Sequence, residues 1–305
     1  MKPLFKPDLE PDGLPFSRIC NVGPVAGGEA FLLLNDRVSI LFDTGFGCGG
    51  DLLVSRLEKE LGKRPLDYIF LSHSHYDHAP GSAWCTARWP SCQVVAGRKT
   101  QSVFRRPGAI ATMRRLDQAA SAKFGIASSM DRFDELRVDI APADGETIYA
   151  GSLAVQLLLL PGHTNCSVGY WFPSCGLLLS SESVGVFFEG SDKVGSALLT
   201  GFEDGLGSIR RCMDLPIRHL CIPHCGMIHG DDCRVFLENA LTCNTDARDM
   251  LLSAYRGGAD REALRRMLKG MWYVGRSREI QPEEAFDENS GYVVDTILRE
   301  YAETN

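Results

Sequence analysis

Residues 71–81 read LSHSHYDHAPG and place His73, His75, Asp77 and His78 within six positions, directly behind the apolar run Tyr68-Ile69-Phe70-Leu71. Imidazole nitrogen and carboxylate oxygen together suit zinc, iron or manganese. Four such groups on one short turn after a strand have no packing rationale and point to a metal site. A catalytic metal also needs ligands from elsewhere in the chain. Of seven histidines, the fourth, His163, sits in LLLLPGHTNCS behind a second apolar run, and the sixth, His224, sits in HLCIPHCG behind a third. Between them Glu182 follows Gly176-Leu177-Leu178-Leu179-Ser180-Ser181. Four segments thus deliver a candidate ligand just past the carboxyl end of a strand, where open α/β sheets build their sites. His219 and His229, each taken alone, read as structural or surface histidines.

The elements that must position these residues are legible in outline. Phe31 to Leu34 and Val38 to Phe42 flank Asn35-Asp36-Arg37 and predict a β-hairpin. DLLVSRLEKELG, residues 51–62, has apolar residues at 53, 54, 57 and 61, a helical period. Strands are expected at 67–71, 93–96, 153–160, 176–180 and 219–222, giving a mixed α/β alternation. Residues 98–137 read as largely helical, with Arg105, Arg106, Arg114, Arg115 and Lys123 on a solvated face. From residue 231 the pattern is helical alone. Three apolar stripes, over 236–254, 264–272 and 293–301, are separated by Gly257-Gly258 and Pro282. The expectation is an α/β domain over 1–230 with a helical appendage over 231–305.

Composition narrows the class of partner. With 305 residues, 44% of them apolar, the chain can bury a sizeable core, and a net charge of −7 argues against a nucleic-acid partner and for a small molecule. Pro3, Pro7, Pro11 and Pro15 interrupt the N-terminal stretch, so a signal peptide is not expected there, and no run of about 18 apolar residues predicts a membrane span. Eleven cysteines, an odd number without a CxxC pair, read as reduced core residues and suggest a cytoplasmic protein. Oligomeric state, a homodimer included, is left open.

HSHYDH resembles the HxHxDH signature of the metallo-β-lactamase superfamily. Asp43 in LFDTG resembles that family's first motif, and Pro161-Gly162-His163-Thr164 its third. LLLSSES lies where the family has a strand ending in Gly-Asp, and IPHCG where it commonly has Pro-Gly-His-Gly. The resemblance covers about residues 18–230 in the correct order. It implies an αββα sandwich of two mixed sheets with helices outside and a dinuclear site between them. It further implies that His73, His75 and His163 hold one divalent ion, zinc before iron or manganese. Asp77, His78 and His224 would hold a second, with Glu182 bridging in place of the usual aspartate. In IPHCG, Cys225 falls at the third position counted from Pro223, so the register alone leaves His224 and Cys225 both open.

The implied chemistry is hydrolysis. Two divalent ions can share one water, lower its pKa towards neutrality and direct it at an electrophilic carbonyl or phosphoryl centre; Asp77 is placed to exchange a proton with it. No GxSxG elbow or flanked thiolate competes for the role of nucleophile. The helical tail resembles the arrangement in glyoxalase II and in the quinolone-signal response protein, where such helices cover the metal cleft. That implies an ester or thioester hydrolase with a helical lid. The alternatives are a phosphodiesterase, and a non-enzymatic ligand-sensing protein whose metal site is structural.

Overall fold

The structure, a computed structural model, describes residues 9, 12–187 and 194–303. Pro3, Pro7 and Pro11 of the proline-interrupted stretch lie outside the described residues.

Among the described residues the first sheet has five strands in sequential order: β1 (Arg18–Asn21), β2 (Phe31–Leu34), β3 (Ser39–Phe42), β4 (Tyr68–Phe70) and β5 (Gln93–Val95). The β2–β3 hairpin turns where expected, because Asn35 Oδ1 accepts from the Arg37 and Val38 amides at 2.8 and 2.9 Å. β3, β4 and β5 run parallel, joined by α1 (Gly50–Leu61) and α2 (Gly81–Arg88). α3 (Arg98–Phe104) and α4 (Pro107–Phe124) follow.

The second sheet comprises β6 (Thr147–Ala150), β7 (Leu153–Leu159), β8 (Val168–Phe172) and β9 (Leu177–Leu179). After a ribbon of β10 (Val186–Phe187) and β11 (Val194–Gly195) and the helix α5 (Phe202–Met213), it gains β12 (His219–Ile222) and β13 (Gly226–His229). Its order is β13-β12-β9-β8-β7-β6, with β9 and β12 parallel. The chain ends in α6 (Asp231–Arg256), α7 (Arg261–Trp272), α8 (Arg276–Ile280) and α9 (Glu283–Tyr301).

Period-2 alternation sorts these side chains into three apolar layers. Ile40, Phe42 and Phe70 meet Tyr170, Phe172 and Leu179 between the sheets. Leu32, Leu41 and Ile69 turn the other way, onto Leu53 and Leu57 of α1. Trp171, Leu178 and Leu220 face outward onto Phe202, Phe236, Leu264 and Val293 of the later helices. The second sheet is therefore apolar on both faces, which accounts for the unbroken leucine runs. The result is the expected αββα sandwich, and the C-terminal helices share one core with its second sheet.

Two expectations are corrected. Helix over 98–137 extends only to Phe124, where Gly125 at φ +66° caps α4; beyond it there is one 3₁₀ turn, Phe133–Glu135. The basic face is also not simply solvated. Arg114 pairs with Asp131 and Asp134, Arg115 with Glu284 and Glu288 of α9, and Lys123 donates to the carbonyls of Arg278 and Gln281. All eleven cysteines are free and seven are buried. Among the described residues no helix is long and apolar enough to cross a membrane.

Candidate metal centre

Each candidate ligand lies just past a strand. Leu71 to His78 follow β4, His163 follows β7, Glu182 follows β9, and His224 follows β12. The ends of the two sheets are tied together where the Val168 amide donates to Ser72 O at 2.8 Å. In the PGHT segment Gly162 has φ +132°, and a Cβ there would lie 2.4 Å from the Gly205 Cα of α5. Only glycine lets the loop come close enough to α5 to present His163.

The structure brings the sequence candidates into two adjoining groups. His73, His75, His163 and Glu182 form one, and Asp77, His78 and His224 the other, with ligand atoms within 4.8 Å in each. Glu182 lies between them. Its Oε2 is 2.7 Å from His163 Nε2, 3.4 Å from His73 Nε2 and 3.6 Å from His78 Nε2, while Oε1 is 3.2 Å from His224 Nε2. His75 Nδ1 faces His163 Nε2 at 3.0 Å, and the Nε2 atoms of His78 and His224 face each other at 3.1 Å. Asp77 Oδ2 is 3.7 Å from His78 Nε2 and 3.9 Å from His224 Nε2.

Hydrogen bonds behind the imidazoles fix which nitrogen faces inward. His78 Nδ1 donates to Asp43 Oδ2 at 2.9 Å. Asp43 also accepts from the Ser72 amide at 2.7 Å and the Ser72 hydroxyl at 2.8 Å, and that hydroxyl accepts from His73 Nδ1 at 2.9 Å. His163 Nδ1 donates to Ala197 O at 2.6 Å, and His224 Nδ1 to Glu29 Oε2 at 3.3 Å. With Nδ1 donating in these four rings, each Nε2 faces the centre, the orientation that metal-binding histidines require. Asp43 and His224 hold φ values of +55° and +62°, uncommon for residues with a Cβ and frequent at functional sites.

The electrostatics divide the histidines: burial disfavours the charged forms of His224 and His78, but Glu182 and Glu29 outweigh it at His224 and hold its pKa well above the usual value, and Asp77 and Asp43 raise that of His78. Burial, with His78 and His75 alongside, pushes the His73 pKa well below its usual value, so its lone pair stays free. Burial disfavours the Glu182 carboxylate, but the imidazoles of His163, His224 and His73 around it outweigh that and hold its pKa well below the usual range. His73 Nε2 and Asp77 Oδ1 are buried without a hydrogen-bond partner. Orphaned acceptors at the centre of a histidine cluster are what a metal would satisfy, so the donor set fits one.

The structure also places the residues left open or aside. Cys225 lies outside both groups, its sulfur accepting from the Phe187 amide at 3.4 Å. His219 and His229 pair across β12 and β13, Nδ1 to Nδ1 at 2.8 Å. Sequence reasoning missed Glu29, Ser72 and the Ala197 carbonyl. Of these only Ser72 carried a signal, its place between the end of β4 and His73. A cavity of about 360 Å³ opens on the site; His75, Asp77, His163, Glu182 and His224 form its floor and α4, α7 and α9 its walls.

Comparison with known proteins agrees with this arrangement. The profile of the Metallo-beta-lactamase superfamily matches residues 23–224. A hydroxyacylglutathione hydrolase of Acidiphilium cryptum is 31% identical over 57% of this chain and 58% of its own length. One of Legionella pneumophila is 28% identical over 40% of this chain and 37% of its own. The chain thus spans only about half the length of these relatives, or less. A probable metallo-hydrolase of Bacillus subtilis is 25% identical over 61% of this chain and 81% of its own. Among solved structures, a metallo-beta-lactamase family protein of Thermus thermophilus shares the fold, with a TM-score of 0.61 and 21% identity over 89% of this chain and 88% of that one. With the superfamily's profile running from the first loop to His224, over more than half its length, the chain belongs to the metallo-beta-lactamase superfamily.

Proposed function

We propose that this chain is a metal-dependent hydrolase of esters or thioesters, with His73, His75, His163 and Glu182 holding one divalent cation and Asp77, His78, His224 and Glu182 a second. The observation that carries the reading is the Glu182 carboxylate, which faces His163 and His73 through Oε2 and His224 through Oε1. When bound, such cations supply Lewis acidity and lower the pKa of water; zinc, iron and manganese all suit the donor set.

The chain's own groups do the rest. Asp43, Glu29 and the Ala197 carbonyl orient the imidazoles. Asp77 lines the cavity floor, where its carboxylate can take a proton and return it. Apolar walls exclude bulk water. In the overall reaction the acyl–oxygen or acyl–sulfur bond breaks; the hydroxyl of water goes to the acyl carbon and its proton to the departing alcohol or thiol. The relatives named hydroxyacylglutathione hydrolases support thioester chemistry. A cavity reaching the site supports an enzyme over a sensor with a closed lid. Eleven free cysteines support a reducing compartment, the cytoplasm.

The test is elemental analysis of purified protein beside a screen of esters, thioesters, lactones and phosphodiesters. About two transition-metal ions per chain are expected, with less in His73→Ala and His78→Ala but not in His219→Ala. Equal metal content in all three variants would remove the site assignment. Turnover of phosphodiesters alone would replace the ester reading, and no turnover with full metal would favour a ligand sensor.

A further inference from the structure

The cavity has two unlike ends. Its floor is the histidine and carboxylate cluster, and its walls are mainly apolar, Met113 and Leu116 of α4 facing Leu268, Trp272, Phe286 and Val293 of α7 and α9, with the neutral polar side chains of Gln281 and Asn289 among them. Among the described residues, the charged side chain lining it outside the floor is Glu288, an acid already paired with Arg115 at 3.1 Å. The wall contributed by α7 and α9 lies beyond residue 224, outside the stretch that matches the superfamily profile. What the relatives' names say of their substrates therefore does not carry over to it.

The geometry points to an uncharged, apolar chain or ring as the part of the substrate that fills this cavity, and against a glutathionyl group. The inference rests on the ester or thioester reading of the same floor. A glutathionyl group carries two carboxylates and an ammonium. Against these walls, whose polar side chains other than Glu288 are neutral, the two carboxylates would lose hydration without gaining a cationic partner. An alkyl group has the opposite balance, gaining about fourfold in affinity for each methylene taken out of water. The volume, about 360 Å³, lies in the range of small-molecule sites.

The experiment is calorimetric titration of the metal-loaded full chain with acetate, butanoate, hexanoate and S-methylglutathione. The three acids place the same carboxylate at the floor, so differences among them report the walls alone. Affinity should rise about fourfold per methylene from acetate to hexanoate, and S-methylglutathione should bind more weakly than hexanoate. A flat series, or S-methylglutathione binding more tightly than hexanoate, overturns the inference. Leu116 is half-buried in the wall. Leu116→Asp should weaken hexanoate at least tenfold and acetate less than twofold, with a thermal melt confirming the fold. Should that variant not fold, Ile280→Asp, half-buried on the facing wall, is read the same way. Hexanoate binding unchanged in the folded variant overturns the inference too. Since binding needs no turnover, a rising series in a protein that hydrolyses no ester separates failure of the enzymatic reading from failure of this one.

Discussion

Glu29 Oε2 lies 3.3 Å from His224 Nδ1 and couples the loop before β2 to the last histidine of the centre, 195 residues away. The same carboxylate accepts from the Gly27 amide through Oε1 at 3.3 Å, so it is itself held. His224 thereby keeps its proton on Nδ1 and presents Nε2 to Glu182 and His78.

Removing this support should weaken one metal position and leave the other. Glu29→Ala is expected to lower the affinity for one of two ions by about 10- to 100-fold, the usual effect of losing a carboxylate behind a metal-binding histidine. Glu29→Gln, which can still accept, should fall between it and wild type. Competition with a chromogenic chelator measures both steps. Equal weakening of both ions would mean that Glu29 acts through the fold and not through His224.

Glu182→Gln keeps the size of the bridge and removes its charge, so it should lose metal and hydrolysis together. His224→Ala should release about one ion, because His73, His75 and His163 remain for the other. Cys225→Ser should keep full metal, since the sulfur faces the Phe187 amide. If Cys225→Ser is half-loaded and His224→Ala full, the two residues exchange roles.

How far the sequence revealed all this depended on the range of the interaction. The candidate ligands announced themselves because each follows a strand at a recognisable spacing. The residues behind them did not, because Glu29 sits in GPVAGGEA with no ligand partner nearby in sequence. α5 was missed for a physical reason. Gly205 and Gly207 within FEDGLGSIRRCM lower its helix propensity, yet Gly205 is where α5 meets Gly162 at backbone distance. The basic residues of α4 gave no hint of their partners on α8 and α9, about 160 residues downstream. The cavity was invisible because α4, α7 and α9 each turn an ordinary apolar face into it.

The contacts of α4 with α9 invite a test of mobility. Arg115 meets Glu284 and Glu288 at 3.2 and 3.1 Å, and all three side chains are substantially exposed. Such pairs contribute little to global stability and are screened by salt. Arg115→Ala should therefore leave the melting temperature within about 2 °C of wild type. Hydrogen exchange at the start of α9 should nevertheless be faster, and wild type in 1 M salt should approach the variant's rate. Exchange unchanged by both the substitution and salt would show that apolar packing alone closes this side of the cavity.

Asp117 on α4 provides the last test, in a region apart from the histidine cluster. Its carboxylate accepts from the Cys48 amide at 3.1 Å and is only 6% exposed. Burial raises its pKa to about 6, against the amides of Cys48 and Gly47 and the Cys48 thiol, with Asp131 adding to the rise. A carboxyl that binds its proton more tightly when folded than when unfolded favours folding at low pH. That contribution is complete below the unfolded pKa near 4 and is lost as pH rises through about 6. The difference from the unfolded value corresponds to about 3 kcal/mol of lost stability by pH 7 to 8. Asp117→Asn is uncharged at every pH and can still accept from the Cys48 amide. The variant should thus melt higher than wild type at pH 8, with the advantage shrinking below pH 6 and vanishing or reversing at pH 4. The difference between the two melting curves removes the titration of every group common to both proteins. A constant offset across that range would mean that Asp117 is ionised throughout, its charge satisfied by the two amides.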